Sequence, residues 1–188
     1  NVGLDFGIFG GRINGNVDAY YRKTSDLLNN ITTPMGNNFS NTVISNVGNM
    51  KNMGVEFNLN FIPIEKQDMR WTINVNGTYQ KTEITKLTND DSTYLGVQTG
   101  ANMGGTGGYT SLHRVGYAPY TYYLYQQAYD ENGKAIQNVL VDRDGDGSIT
   151  EADRYVTGKS ITPKFFFGLS SQFTYKKWDF GFNAHGSF

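Results

Sequence analysis

Cysteine is absent from the chain, which excludes a disulfide framework, a thiolate metal site and a cysteine nucleophile. Long hydrophobic runs are absent too. The densest apolar stretch, Phe165 to Leu169, is interrupted by Gly168 and falls far short of the roughly 20 residues of a membrane helix, so a helical membrane protein is excluded. Proline occurs only 4 times and charged residues make up 18% of the chain. The net charge of -1, with no basic cluster, gives no electrostatic basis for binding nucleic acid. The start, Asn1-Val2-Gly3-Leu4, carries no initiator methionine, basic region or apolar signal core and reads as a mature or internal segment.

Glycine and aromatic residues are plentiful: Gly 23, Tyr 13 and Phe 12. Such a composition favours strands and turns over helices and predicts an all-β fold. Strand alternation is the dominant pattern. From Arg12 to Thr24 one face carries Ile13, Val17, Ala19 and Tyr21, and the other Asn14, Asn16, Asp18, Tyr20 and Arg22. From Met53 to Phe61, Val55, Phe57, Leu59 and Phe61 oppose Glu56, Asn58 and Asn60; from Trp71 to Gln80, Trp71, Ile73, Val75, Gly77 and Tyr79 oppose Thr72, Asn74, Asn76, Thr78 and Gln80. Phe167, Leu169, Phe173 and Tyr175, then Trp178, Phe180 and Phe182, repeat the pattern near the end, as Val2, Leu4, Phe6 and Ile8 do at the start.

A soluble sandwich alternates as well, but three features point to a transmembrane β-barrel. The Arg12–Thr24 run exceeds the usual soluble strand and suits the roughly 9 to 11 residues needed to cross a bilayer on a tilt. Tyr21, Tyr79, Tyr175, Trp71 and Trp178 sit at strand ends on the apolar face, where a membrane interface places amphipathic rings. The connections also alternate in length: Phe9-Gly10-Gly11, Ile62 to Asp68 and Lys176-Lys177 are short, whereas Ser25 to Asn52 and Lys81 to Pro163 are long. Barrels of the outer membrane alternate short periplasmic turns with long external loops. The expectation is an antiparallel barrel fragment of six crossings. The Tyr117–Tyr129 run and its return, Ala135 to Val141, read as an external hairpin, with eight crossings as the alternative. Residues Gly100 to Gly108 read as a loop tip, and the Gly104-Gly105-Thr106-Gly107-Gly108 run within them is not a phosphate cradle, since it follows no predicted strand and opens no helix.

One motif carries chemistry. Residues Asp142 to Asp153 match the calcium loop of an EF-hand. Asp142, Asp144 and Asp146 supply the acids at positions one, three and five, and Gly147 permits the turn at six. Ser148 offers its carbonyl, Thr150 binds directly or through water, Asp153 closes the loop where a glutamate is usual, and Ile149 is expected to pin the loop to the protein. Flanking helices are not expected, so this reads as an isolated structural calcium site, the alternative being an Asp/Gly-rich turn without metal. His113 and His185 are far apart and read as surface or lumen residues. The acidic pairs Asp90-Asp91 and Asp130-Glu131 read as solvated loop acids. No catalytic residue and no enzyme activity is expected.

Several segments together resemble the C-terminal barrel region of SusC-like TonB-dependent transporters (the RagA/SusC family) of the Bacteroidota outer membrane. They are Gly3-Leu4-Asp5-Phe6-Gly7 with Val17 to Leu28, Asn46 to Phe57, Asp142 to Asp153, and Pro163-Lys164 leading to Tyr175-Lys176-Lys177-Trp178-Asp179. This resemblance implies that residues 1–188 belong to one receptor barrel of about 22 strands, in the outer membrane of a Gram-negative bacterium and in contact with its lipid. It implies nutrient import, of glycans or oligopeptides, with a SusD-like surface lipoprotein as partner and with TonB acting through a plug region outside this chain. Phe188 then reads as a truncation point. The competing expectation is a secreted, calcium-stabilised β-domain for adhesion or carbohydrate binding.

Overall fold

The computed structural model describes residues 1–32, 42–88, 95–102 and 108–188. It is almost entirely strand: β1 (Val2–Ile8), β2 (Ile13–Thr32), β3 (Thr42–Lys66), β4 (Met69–Lys86), β5 (Val97–Asn102), β6 (Tyr109–His113), β7 (Thr121–Leu124), β8 (Gln127–Tyr129), β9 (Ala135–Leu140), β10 (Tyr155–Ser160), β11 (Phe165–Tyr175) and β12 (Trp178–Ser187). The one helical element among the described residues is a 3-10 turn at Glu151–Asp153. The main sheet has the order β1-β2-β3-β4-β11-β12, six strands as the crossing count requires. A second sheet runs β10-β7-β6-β5, and β8 and β9 form a hairpin.

The chain divides into two compact units. The first comprises Asn1–Thr24, Met50–Thr82 and Pro163–Phe188. Its ladders are regular and antiparallel: Val2 pairs with Ala19 through to Ile8 with Ile13, Tyr79 with Phe165 through to Met69 with Tyr175, and Tyr175 with Trp178. β11 and β12, at 11 and 10 residues, have the length of a tilted bilayer crossing. The unit has no apolar interior. Its buried residues are Gly54 and Gly77, whereas Val2 is 78% exposed, Leu4 66% and Phe180 69%. These two glycines are buried because aromatic rings lie across them. A Cβ at Gly77 would stand 2.5 Å from Phe57 Cε1, and one at Gly54 would stand 2.6 Å from Tyr20 Oη. Each ring thereby packs on backbone across a strand pair and fixes its register.

The second unit comprises Ser25–Asn49 and Glu83–Thr162. It holds a conventional core of Val47, Ile84, Leu87, Leu112 and Tyr123. Within it Asn29 donates to the Leu87 carbonyl at 2.8 Å, and Ile84 and Gly116 exchange backbone bonds with Tyr117 and Ile84 at 2.9 Å each.

The connections depart from expectation. Residues 25–52 are not one long loop, because β2 continues to Thr32 and β3 begins at Thr42. The Ile62–Asp68 connection shrinks to a turn at Gln67-Asp68, since β3 runs to Lys66. The Lys81–Pro163 segment contains a sheet of its own. The aromatic run is split between them: Thr121–Leu124 joins that sheet, and only Gln127–Tyr129 pairs with β9 as the hairpin. The Gly100–Gly108 stretch is not all loop tip, because its first three residues belong to β5 and Asn102 pairs with Tyr109; 103–107 lie outside the described residues, as do Asp90 and Asp91.

Candidate metal centre

Val141 closes the β8–β9 hairpin by donating to the Gln126 carbonyl at 2.9 Å, and the acidic loop follows at once. Its carboxylates are folded inward by the loop's own amides. Asp142 accepts from Gly145 at 2.7 Å and from Gly147 at 2.8 Å, Asp144 accepts from Asp146 at 3.2 Å, and Asp146 accepts from Ser148 at 2.7 Å. Gly147 takes φ +84, the left-handed turn the motif requires at its sixth position. Ligand oxygens of Asp142, Asp144 and Asp146 come within 4.8 Å of one another, and all three residues are exposed. No other group of three acids or histidines converges in this way among the described residues.

The closing half of the loop is built differently. Thr150 caps the 3-10 turn, its hydroxyl accepting from the Ala152 amide at 3.2 Å. Asp153 is fully buried, and its two oxygens accept from Arg143 at 2.6 Å and from Thr150 at 2.7 Å. Those amide bonds, from Thr150 and then Arg143, hold the Asp153 carboxyl below its ordinary pKa against the opposing effect of burial. Asp144 behaves oppositely. The Asp146 amide lowers its pKa, but desolvation, the charges of Asp146 and Asp153 and a bond with Asp142 outweigh that and raise it. Ile149 does not pin the loop: it is 46% exposed.

The anchor is a residue that sequence reasoning passed over. Arg154 is buried and donates to the carbonyls of Tyr123, at 2.7 Å, and Tyr109, with its guanidinium 4.1 Å from the Tyr123 ring. It holds the end of the loop against β6 and β7. Arg143 reaches away from the acids, bonding Gln126 at 2.7 Å and stacking on Tyr155 at 4.6 Å. Sequence carries no signal for Arg154, because a lone arginine beside a loop is ordinarily solvated. Three convergent carboxylates around an exposed opening, with a buried fourth acid behind them, suit a hard divalent cation bound through oxygen.

The other candidates bring no catalytic constellation together. His113 is half-buried with its Nε2 lacking a hydrogen-bond partner and its ring edge-on to Tyr120 at 4.6 Å; burial lowers its pKa. His185 is exposed on β12. Asp130 accepts from Asn132 and Lys134 at 3.0 and 2.8 Å and so builds the hairpin turn. In the first unit an open concavity of about 870 Å³ is lined by polar residues, among them Asp18, Arg22, Glu56 and Gln80, together with Ala19 and Tyr21.

A family profile described as "TonB dependent receptor-like, beta-barrel" matches residues 1–186. The chain is 43% identical over all 188 residues to TonB-dependent receptor SusC of Bacteroides thetaiotaomicron, covering 19% of that protein. It is 29% identical over 217 residues to TonB-dependent receptor P39 of Formosa agariphila, with 97% of the chain and 21% of that protein covered. A solved structure of the RagAB peptide importer in the "open-open" state superposes with a TM-score of 0.75 at 23% identity, over 98% of this chain and 19% of that one. The chain therefore spans about a fifth of the length of these relatives, which are described as receptors and importers and not as enzymes.

Proposed function

Because this chain belongs to the TonB-dependent receptor β-barrel family of the Gram-negative outer membrane, we propose that it is a wall segment of an importer of hydrophilic oligomers, glycans or oligopeptides. One observation carries the reading: the first unit buries only two glycines, while none of its large apolar side chains is buried and many, among them Val2, Leu4, Tyr21, Trp178 and Phe180, are exposed. In water such a sheet would aggregate, whereas in a bilayer its apolar face meets hydrocarbon and its polar concavity lines the lumen. The short turns then face the periplasm and the longer connections the outside. A SusD-like lipoprotein captures substrate above the barrel, and TonB drives release through a plug. To test this, uptake of labelled maltooligosaccharides and of labelled peptides would be followed in cells carrying the full-length protein with and without TonB. Accumulation of either that persists without TonB, or recovery of the protein in the soluble fraction, would sink it.

A second observation, the convergence of Asp142, Asp144 and Asp146, supports calcium at the acidic loop. In this reading the ion is structural. Asp142, Asp144 and Asp146 hold it, the Ser148 carbonyl and Thr150 complete its shell, and Asp153 closes the loop from behind. Neutralising the three carboxylates would order residues 142–153 on the external surface. Isothermal titration with calcium and with magnesium, on the wild type and on Asp142→Asn/Asp144→Asn, decides it: equal heats for wild type and variant would leave an acidic turn and no site.

A further inference from the structure

The three short turns of the main sheet lie at one of its ends. Tyr175 pairs with Met69 and with Trp178, and the Lys176 amide donates to the Asp68 carbonyl at 2.8 Å, so the turns at 67–68 and 176–177 are neighbours. Ile62 donates to the Arg12 carbonyl at 2.7 Å, which places the Phe9–Arg12 turn at the same end. This end is cationic. Its acids are occupied or face elsewhere: Glu65 lies 3.8 Å from Arg70, and Asp179 accepts from Gln172 and Thr174 on the polar strand face. Asp68 and Asp179 then stand against the four cations Arg12, Lys66, Lys176 and Lys177, and the end keeps a positive excess.

The aromatic side chains give that charge a direction. Tyr175 and Trp178 are a cross-strand pair and so point to one face, the apolar one. Trp178 is 79% exposed, and the Lys176 ammonium lies 5.4 Å from the centre of the Tyr175 ring. A cation is thus held over an amphipathic ring on the lipid side, where the hydrocarbon ends. Rings of this kind settle at headgroup level, and lysines extend from it towards phosphate.

We propose that the turn Tyr175-Lys176-Lys177-Trp178 binds the phosphate of anionic glycerophospholipids in the inner leaflet of the outer membrane. The lysines supply charge, and the Tyr175–Trp178 pair supplies the platform on which the glycerol and upper acyl carbons rest. This rests on the orientation proposed above, with short turns in the periplasm. The bound lipid would fix the depth of the barrel wall at this end.

The test uses the full-length protein, delipidated in detergent and titrated with phosphatidylglycerol, phosphatidylethanolamine or lipid A, with bound lipid counted by native mass spectrometry. Wild type should favour phosphatidylglycerol, and Lys176→Gln/Lys177→Gln should lose about fivefold of that preference per lysine. Trp178→Ala should weaken retention of both lipids and leave their ratio unchanged. Equal retention of the two lipids by wild type, an unaltered preference in the double variant, or a stronger preference for lipid A would overturn the site. Impermeant maleimide labelling of Gln67→Cys on intact cells separates the two readings: labelling overturns the orientation itself, whereas protection with an unaltered lipid preference overturns only the lipid site.

Discussion

The two units solve the same problem in opposite ways. In the second, Leu112 is wholly buried and Val47, Ile84, Leu87 and Tyr123 gather with it, as a protein in water requires. In the first, the apolar sets of β1, β2, β3 and β12 are turned outward, and the only residues removed from solvent are glycines lying under aromatic rings. Both units are built from alternating strands. Alternation therefore says which residues share a face, and the surrounding solvent decides which face is buried. This difference separates the barrel reading from the secreted sandwich, which would need an apolar interior in both units.

The largest effect that could break the comparison lies in the second unit. Leu112→Ala should cost about 2 to 5 kcal/mol there, because a side chain with no exposed surface leaves a cavity. Hydrogen exchange should show the loss as faster opening of β6 and β7, with β11 and β12 unchanged. Uniform acceleration through both units would mean that they share one core. Next comes a charge on the outward face of the first unit. Val75 pairs with Leu169 in the middle of β11, so Val75→Arg in the complete barrel should cost about 2 to 4 kcal/mol while Asn74→Arg is tolerated. Equal penalties in urea-unfolding titrations from lipid vesicles would favour a two-layer sandwich. A smaller effect is expected at Gly77→Ala, whose new methyl would meet Phe57 at 2.5 Å. About 1 to 3 kcal/mol should be lost, and Phe57→Ala should relieve much of it. Strict additivity of the two substitutions would show that the ring does not rest on the glycine.

What could be read in advance was the periodic part. Strand faces, the six-membered sheet and the short turns depend on nearest neighbours along the chain and on a period of two, which the residues display directly. Of the aromatic residues expected at strand ends, Trp71, Tyr175 and Trp178 lie there, whereas Tyr21 and Tyr79 fall inside β2 and β4, because those strands run on to Thr32 and Lys86. The lengths of β2 and β3 were underestimated because Ser25, Asp26, Asn29 and Asn46 are poor strand residues by propensity. They are held in strands by long-range pairing that no local window contains. The same limit hid the sheet within 83–162: β5, β6, β7 and β10 are only four to six residues long, and their partners are dispersed. At the acidic loop, the three aspartates and Gly147 were legible because the motif is local. Arg154 was not, because its partners Tyr109 and Tyr123 are 45 and 31 residues away. Ile149, chosen by motif position alone, is exposed.

The smallest effect expected is the most diagnostic for the loop, and it depends on the two opposed carboxyls. Asp153 has its pKa lowered by the Thr150 and Arg143 amides, so its ionised form supports the fold. That contribution is present above the ordinary carboxylate pKa and is lost as pH falls through the lowered folded value. Asp144 has a lowering bond from the Asp146 amide, but desolvation, the charges of Asp146 and Asp153 and the bond with Asp142 raise its pKa on balance, so its ionised form opposes the metal-free loop, and protonation relieves it first. In metal-free buffer, acidification should therefore act in two stages. The amide signal at Asp146, which bonds the Asp144 carboxyl, should move first without loss of order, and those at Thr150 and Arg143 should collapse only below the ordinary carboxylate range. Asp144→Asn removes the first stage and should tighten the metal-free loop, since one repulsive charge is gone. With calcium the same substitution removes a ligand charge and should weaken binding, on the order of tenfold. One substitution is thus expected to stabilise the loop without the ion and to destabilise the loop with it. If Asp144→Asn leaves amide exchange across 142–153 the same with and without calcium, the carboxylates are a self-bonded turn and the metal reading fails.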